Sequence, residues 1–313
     1  MFVVTQFIGL YVIKADPFHI EKEINGTIQK VSNPALSWIE PPEIKEQSDF
    51  NLYFGSIIIA FVFAIGLLFL LTRFKISFIL RTWFFLVVIL ALFISLSAIL
   101  PKRLVFTIIA LFVAIALAFV KIYQRNFVVH NLTELFIYPG IASVFVPILN
   151  FWTVMALLVL ISIYDMWAVW HSGIMQKMAK FQINELKIFS GFFVPYISKK
   201  LRMQMKRMKK MKGKNKGNKN IKVNLAILGG GDVVFPIITA GVVLMADKIF
   251  IPFTNIQLFT GGIIPALFVI TGATLGLAFL FSISEKKKFY PAMPFITGGI
   301  FLGLLLSYIV HAF

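Results

Sequence analysis

Two aspartates interrupt long apolar runs: Asp165 in LLVLISIYDMWAVW and Asp232 in AILGGGDVVFP, residues 226–236. A carboxyl group at membrane depth is expensive and ordinarily faces a bundle interior or a water-filled cavity. Two such groups brought within reach of one water, in a poorly solvated place, do not readily both ionise, so the pair holds a proton. The ionised member then acts as general base on the water, and the protonated member donates to a carbonyl oxygen. Such a titration belongs to the pair. The alternative is that each aspartate is a helix-packing hydrogen-bond partner or an ion site. No Ser/His, Cys/His or metal arrangement competes with the pair in these runs: the chain has no cysteine, and His19, His130, His171 and His311 are scattered without ligand spacing. Neither a metal nor a cofactor is called for. Glu134 and Asp247 fall near the ends of their runs, where water or headgroups would reach them.

The elements that must position this pair are membrane spans. The 313 residues are 59% hydrophobic and 14% charged, against about 25% charged in ordinary soluble domains. Runs of roughly 20 apolar residues cross the hydrocarbon core as helices; a barrel would need short alternating strands. The chain reads as an all-α polytopic membrane protein with about nine spans, near 1–13, 51–72, 77–99, 103–120, 131–149, 151–175, 222–246, 256–282 and 291–311. The first is short, about 20 Å at 1.5 Å per residue, so it enters only part of the membrane or begins upstream. A cleaved signal peptide would show a basic start and a small-residue cleavage site before Lys14, and neither is there.

Basic residues orient the spans. Residues 14–49 carry four lysines against seven acids and read as outside. Arg73, Lys75 and Arg81, then Lys121 and Arg125, then Lys286, Lys287 and Lys288 read as inside, as does the loop 176–222 with fifteen of the thirty basic residues. The N-terminus is therefore cytoplasmic and the C-terminus outside, with only Lys102 and Arg103 dissenting. Three parts result: 1–175, with six spans; the basic cytoplasmic loop 176–221; and 222–313, with three spans. The net charge of +17 is no sign of nucleic-acid binding, because no base-stacking or fold motif accompanies it. Met205, Met208 and Met211 recur at helical spacing downstream of Phe192, Phe193 and Tyr196, which predicts an interfacial helix on anionic headgroups followed by a flexible linker.

The sixth and seventh spans are antiparallel neighbours, and each aspartate lies about ten residues, roughly 15 Å, from the cytoplasmic end of its span. Both carboxyls thus share one level. Gly229, Gly230 and Gly231 weaken the helix and allow another backbone to approach. An extended substrate strand needs such an approach to find hydrogen-bond partners in lipid. Pro236 disturbs the carbonyl of Asp232, four residues before it. On these residues alone, a simple kink against a neighbouring helix accounts for the glycines and proline equally well.

Tyr164-Asp165 and Gly229-Gly230-Gly231-Asp232 resemble the YD and GxGD motifs of the presenilin and signal-peptide-peptidase intramembrane aspartyl proteases, closest to archaeal members. The resemblance extends to the nine-span topology with its loop between the sixth and seventh spans. It implies catalysis by Asp165 and Asp232, a transmembrane helix of another protein as substrate, and a PAL motif at the start of the ninth span. Pro-Ala-Leu occurs at 34–36 and 265–267, both misplaced; the pattern falls instead on Pro291, Ala292, Met293 and Pro294, with Met in place of Leu. The two prolines would keep this segment out of regular helix and leave carbonyls free beside the site. Tyr164 either hydrogen-bonds near the site or is a packed aromatic. Gly261-Gly262 and Gly298-Gly299 read as helix-packing residues. A prepilin-type membrane aspartyl peptidase, a proton- or cation-coupled transporter and a noncatalytic scaffold are the other readings.

Overall fold

Backbone amides in lipid must be satisfied within their own segment, and each expected span contains a helix. The computed structural model describes residues 1–24, 27–44, 46–74, 77–124, 126–172, 190–196, 224–250, 257–284 and 290–312. Among these are nine α-helices: α1 (Phe2–Ala15), α2 (Gln47–Arg73), α3 (Ser77–Ile99), α4 (Leu104–Phe119), α5 (Phe127–Phe145), α6 (Phe151–Trp167), α7 (Gly230–Met245), α8 (Ile263–Ile283) and α9 (Met293–Ala312). Seven of them, with short continuations of α4, α5 and α6, are long and apolar enough to cross a membrane; α1 and α7 are shorter apolar helices. Three antiparallel hairpins accompany them: β1 (His19–Ile24) with β2 (Thr27–Ser32), β3 (Gly191–Tyr196) with β4 (Asn224–Gly229), and β5 (Lys248–Phe250) with β6 (Gln257–Thr260).

Three expected boundaries are corrected. The seventh span does not run as helix from 222: Asn224–Gly229 is a strand, and helix begins only at Gly230. Consecutive glycines are poor helix formers, so the run switches conformation at the GGG step. The eighth likewise opens with strand Gln257–Thr260, and Gly262, at φ 136, turns the chain into α8. The sixth ends its regular helix at Trp167 and continues as the wide π-helical turn Ala168–Ser172. Gly191–Tyr196, expected beside an interfacial helix, is a strand. Met205, Met208 and Met211 lie outside the described residues.

Local chemistry sets several ends. Asn150 caps α6 by accepting from the Thr153 amide at 2.8 Å, while Thr153 Oγ1 accepts from the Asn150 amide at 2.9 Å, a reciprocal box. The end of α1 explains one dissenting charge. Lys102 Nζ donates to the carbonyls of Ala15, Asp16 and His19 at 2.8, 3.0 and 2.7 Å. A cation there satisfies orphaned C-terminal carbonyls and opposes the helix dipole. Lys102 is thus committed to α1.

At the centre of the bundle, α5 packs against α1, α3 and α7, and α7 also packs against α6 and α8. α8 and α9 lie against each other closely enough that a Cβ on Gly272 would overlap the Gly299 carbonyl, and one on Gly299 the Gly272 carbonyl. Gly298, next in sequence, would point a Cβ into open space. Gly299→Ala is therefore expected to destabilise the protein by about 1–3 kcal/mol through overpacking. Gly298→Ala is expected to be neutral or to stabilise by about 0.5–1 kcal/mol, as alanine favours helix over glycine. Thermal unfolding in detergent compares the two; equal shifts would contradict the close helix contact.

Candidate active site

Asp165 is the third residue from the C-terminus of α6, buried at 6% exposure. One turn before it, Ser162 and Thr297 share a buried 2.8 Å hydrogen bond that ties α6 to α9. The Asp165 Oδ2 atom accepts the amide of Met293 at 3.1 Å, with the Ala292 amide also beside it. Met293 is the first residue of α9, so this carboxylate caps the helix. The Pro291–Pro294 segment therefore meets the site with amides, where carbonyls were expected. Pro291 and Ala292 precede the helix, and Met293 and Pro294 open it. In a first turn the missing N–H of Pro294 costs no helical bond.

Asp232 is the third residue of α7, and Gly229 is its N-cap, in extended geometry. The half-buried Asp232 carboxylate lies beside the Gly229 amide, which corresponds to one half of a capping box. A Cβ on Gly229 would stand 3.0 Å from Asp232 Oδ2. Asp165 and Asp232 are near enough for their charges to interact. The expectation of ten helical residues beyond each aspartate is corrected, because regular helix ends nearby in both cases. Asp165 instead lies near the end of α6, and Asp232 at the start of α7. Each carboxylate sits at a helix N-terminus, Asp232 at that of α7 and Asp165 at that of α9, where orphan amides and the helix dipole favour negative charge.

The three glycines divide their tasks. Gly229 adjoins the carboxylate, and Gly230 lies under the Tyr138 ring, whose Cε1 a Cβ would approach to 2.9 Å. Gly231 is exposed, and among the described residues a Cβ there would touch only Phe235, at 3.6 Å. The Tyr164 ring stands edge-to-face on Phe61, centroids 5.5 Å apart, and tilts against Trp167. Among the described residues its hydroxyl shows no hydrogen bond, which favours the packed-aromatic reading. The Gln6 side chain on α1 donates to the Val233 carbonyl at 3.0 Å, one residue beyond Asp232.

Sequence reasoning missed several of these groups. Glu134 was expected within reach of headgroups, yet it is fully buried and takes Lys121 Nζ at 2.5 Å. The signal was its place inside the run 131–149, with Lys121 thirteen residues earlier in the turn after α4. Asp247 is exposed, as its position at the end of a run suggested.

The family of signal-peptide peptidase and presenilin aspartyl proteases matches residues 34–313. The chain belongs to that family. Two solved structures share the fold, both described as a presenilin family intramembrane aspartate protease. The one in space group C222 is 17% identical, with TM-score 0.53, covering 98% of this chain and 93% of that one. The one in space group P2 is 19% identical, with TM-score 0.52, covering 98% and 96%. No curated protein matches the sequence. The chain is accordingly a multi-pass, presenilin-like membrane protein and an aspartic-type endopeptidase.

The Ser162–Thr297 bond holds the two helices that bring Asp165 to Met293. Removing one partner leaves a buried hydroxyl unpaired, so Ser162→Ala and Thr297→Val are each expected to lose about 1–2 kcal/mol. The double variant should lose clearly less than the sum. Strict additivity in a thermal or denaturant double-mutant cycle would show that the hydroxyls do not interact.

Proposed function

We propose that Asp165 and Asp232 are the catalytic pair of this family member and that it cuts transmembrane helices of other proteins or signal peptides. The observation that carries this reading is the convergence of three helix ends, those of α6, α7 and α9, on the two carboxyls. In the proposed reaction the pair shares one proton. The ionised carboxylate takes a proton from water as the water oxygen bonds to the scissile carbonyl carbon, and the protonated carboxyl donates to the carbonyl oxygen. Collapse of the tetrahedral species breaks the C–N bond, the leaving nitrogen takes a proton, and a carboxylate and an amine remain. Fixed amides at Met293 and Gly229 hold the two carboxyls where the attack needs them.

A helical substrate hides its peptide carbonyls in internal hydrogen bonds, so it must unwind before water attacks. Two features support this substrate class. An open apolar groove of about 530 Å³ runs between α6 and α9, lined by Trp152, Met155, Val159, Ile163 and Phe301 among others. Its Ile163 stands two residues before Asp165 on the exposed side of α6, and such a groove suits an apolar helix. Gly231, exposed beside Asp232, leaves space for an extended backbone. The edges of the β3–β4 hairpin next to it offer the hydrogen-bond partners that an unwound segment needs in lipid. The charge pattern supports a cytoplasmic N-terminus and an outer C-terminus, which places the site toward the cytoplasmic end, with the basic loop on anionic headgroups.

Cleavage of a model transmembrane substrate in detergent or liposomes, read by mass spectrometry, is expected to vanish in both Asp165→Asn and Asp232→Asn, with thermal stability retained. Unchanged cleavage in either would refute the pair. Gly231→Val is expected to keep thermal stability within about 1 kcal/mol, since its surroundings are open, while raising KM or abolishing cleavage. Wild-type kinetics in that variant would mean that substrate does not approach there.

A further inference from the structure

Three ionisable side chains outside the aspartate pair are buried together: Lys121, in the π-helical turn Val120–Gln124 after α4, and His130 and Glu134 on α5. Lys121 Nζ donates to Glu134 Oε1 at 2.5 Å and lies 3.4 Å from His130 Nδ1. Glu134 and His130 in turn meet one residue of β3. Glu134 Oε1 accepts the Gly191 amide at 3.3 Å, and His130 Nε2 stands 2.9 Å from the Gly191 carbonyl oxygen. A carbonyl only accepts, so Nε2 carries the hydrogen, and Nδ1 is left as an acceptor facing the lysine.

Gly191 is thus held by both its N–H and its C=O. Its φ of 149° is one that side chains rarely adopt, so the grip acts on a position open to glycine. Its cross-strand partner is Gly229, the N-cap of α7 and the residue whose amide lies beside Asp232. Four residues after Glu134, the Tyr138 ring packs edge-to-face on Phe192 and covers Gly230. One face of α5 therefore supports the hairpin and the first turn of α7. A buried ion pair is often no more stabilising than apolar side chains of similar size. Apolar side chains would not hold the two polar groups of Gly191.

We propose that Glu134 and His130, oriented by Lys121, are positioning residues for Asp232: they anchor β3 at Gly191 and, through its pairing with Gly229, set where α7 begins. This rests on the catalytic-pair reading given under Proposed function, and its test has one arm that needs no cleavage.

The double variant Lys121→Met/Glu134→Leu removes both charges without stranding either, and Lys121→Met/Glu134→Gln keeps an acceptor oxygen for Gly191. In the Leu variant kcat on the model substrate is expected to fall at least about tenfold with KM within about twofold, as for a misplaced reacting group. Amide hydrogen exchange across 191–196 and 224–229 should accelerate. The Gln variant should recover kcat to within about threefold of wild type. His130→Leu leaves the Lys121–Glu134 pair intact and should show the same split more weakly. Wild-type kcat with unchanged strand exchange in His130→Leu overturns the proposal, whether or not the double variants fold. If the wild type cuts nothing, the catalytic-pair reading fails, and exchange alone decides the inference: unaltered strand protection in His130→Leu overturns it, and loss of protection upholds it.

Discussion

A carboxylate inside a lipid-embedded bundle needs donors, and in a helical chain the amides left without partners are those at helix N-termini. That constraint organises this protein around its two aspartates. Asp165 meets the first amide of α9, and Asp232 folds back on the amide that precedes α7. For both to be served at one level, α7 and α9 must begin where α6 ends. The shortness of α7 and the Pro-Ala-Met-Pro entry to α9 are the local means. The Ser162–Thr297 bond and the glycine contacts between α8 and α9 fix α9 against its neighbours, and through it the position of Asp165.

The chain before α7 has to go somewhere once helix is refused at the glycines. It becomes β4, paired with β3, and a two-stranded ribbon is marginal by itself. The support comes from α5, where Tyr138 packs on Phe192 and a buried histidine and glutamate, the latter paired with Lys121, meet the backbone of Gly191. Placing those charges in the interior is unfavourable unless each is paired, and here Lys121 and Glu134 pair with each other. The triple glycine is thus the junction between strand and helix, with one glycine beside the carboxylate, one beneath Tyr138 and one open to the outside.

Much of this was legible in the residues. Apolar run lengths located the nine helices of the described residues, because in lipid a helix is the one local solution for a lone segment. The two acids inside runs singled themselves out by their cost, and the resemblance pointed to the start of the ninth span, where Met293 donates to Asp165. What failed was conformation at the run ends. Hydropathy does not distinguish the strand Asn224–Gly229 from a helical turn, since both are apolar and only pairing with the distant Gly191–Tyr196 decides it. The same non-locality hid Glu134, whose partner Lys121 was counted as a loop charge. Lys102, which broke the charge rule, was explained only by the three carbonyls that it caps.

The central claim is that two carboxyls work as one acid–base unit on water. The pH dependence of kcat/KM for a model transmembrane substrate, measured at fixed detergent and ionic strength, tests it most directly. A pair requiring one proton between its members gives a bell-shaped profile with two ionisations, active only where a single proton is shared. A flat profile, or one that follows a single ionisation across the range where the protein stays folded, would contradict it.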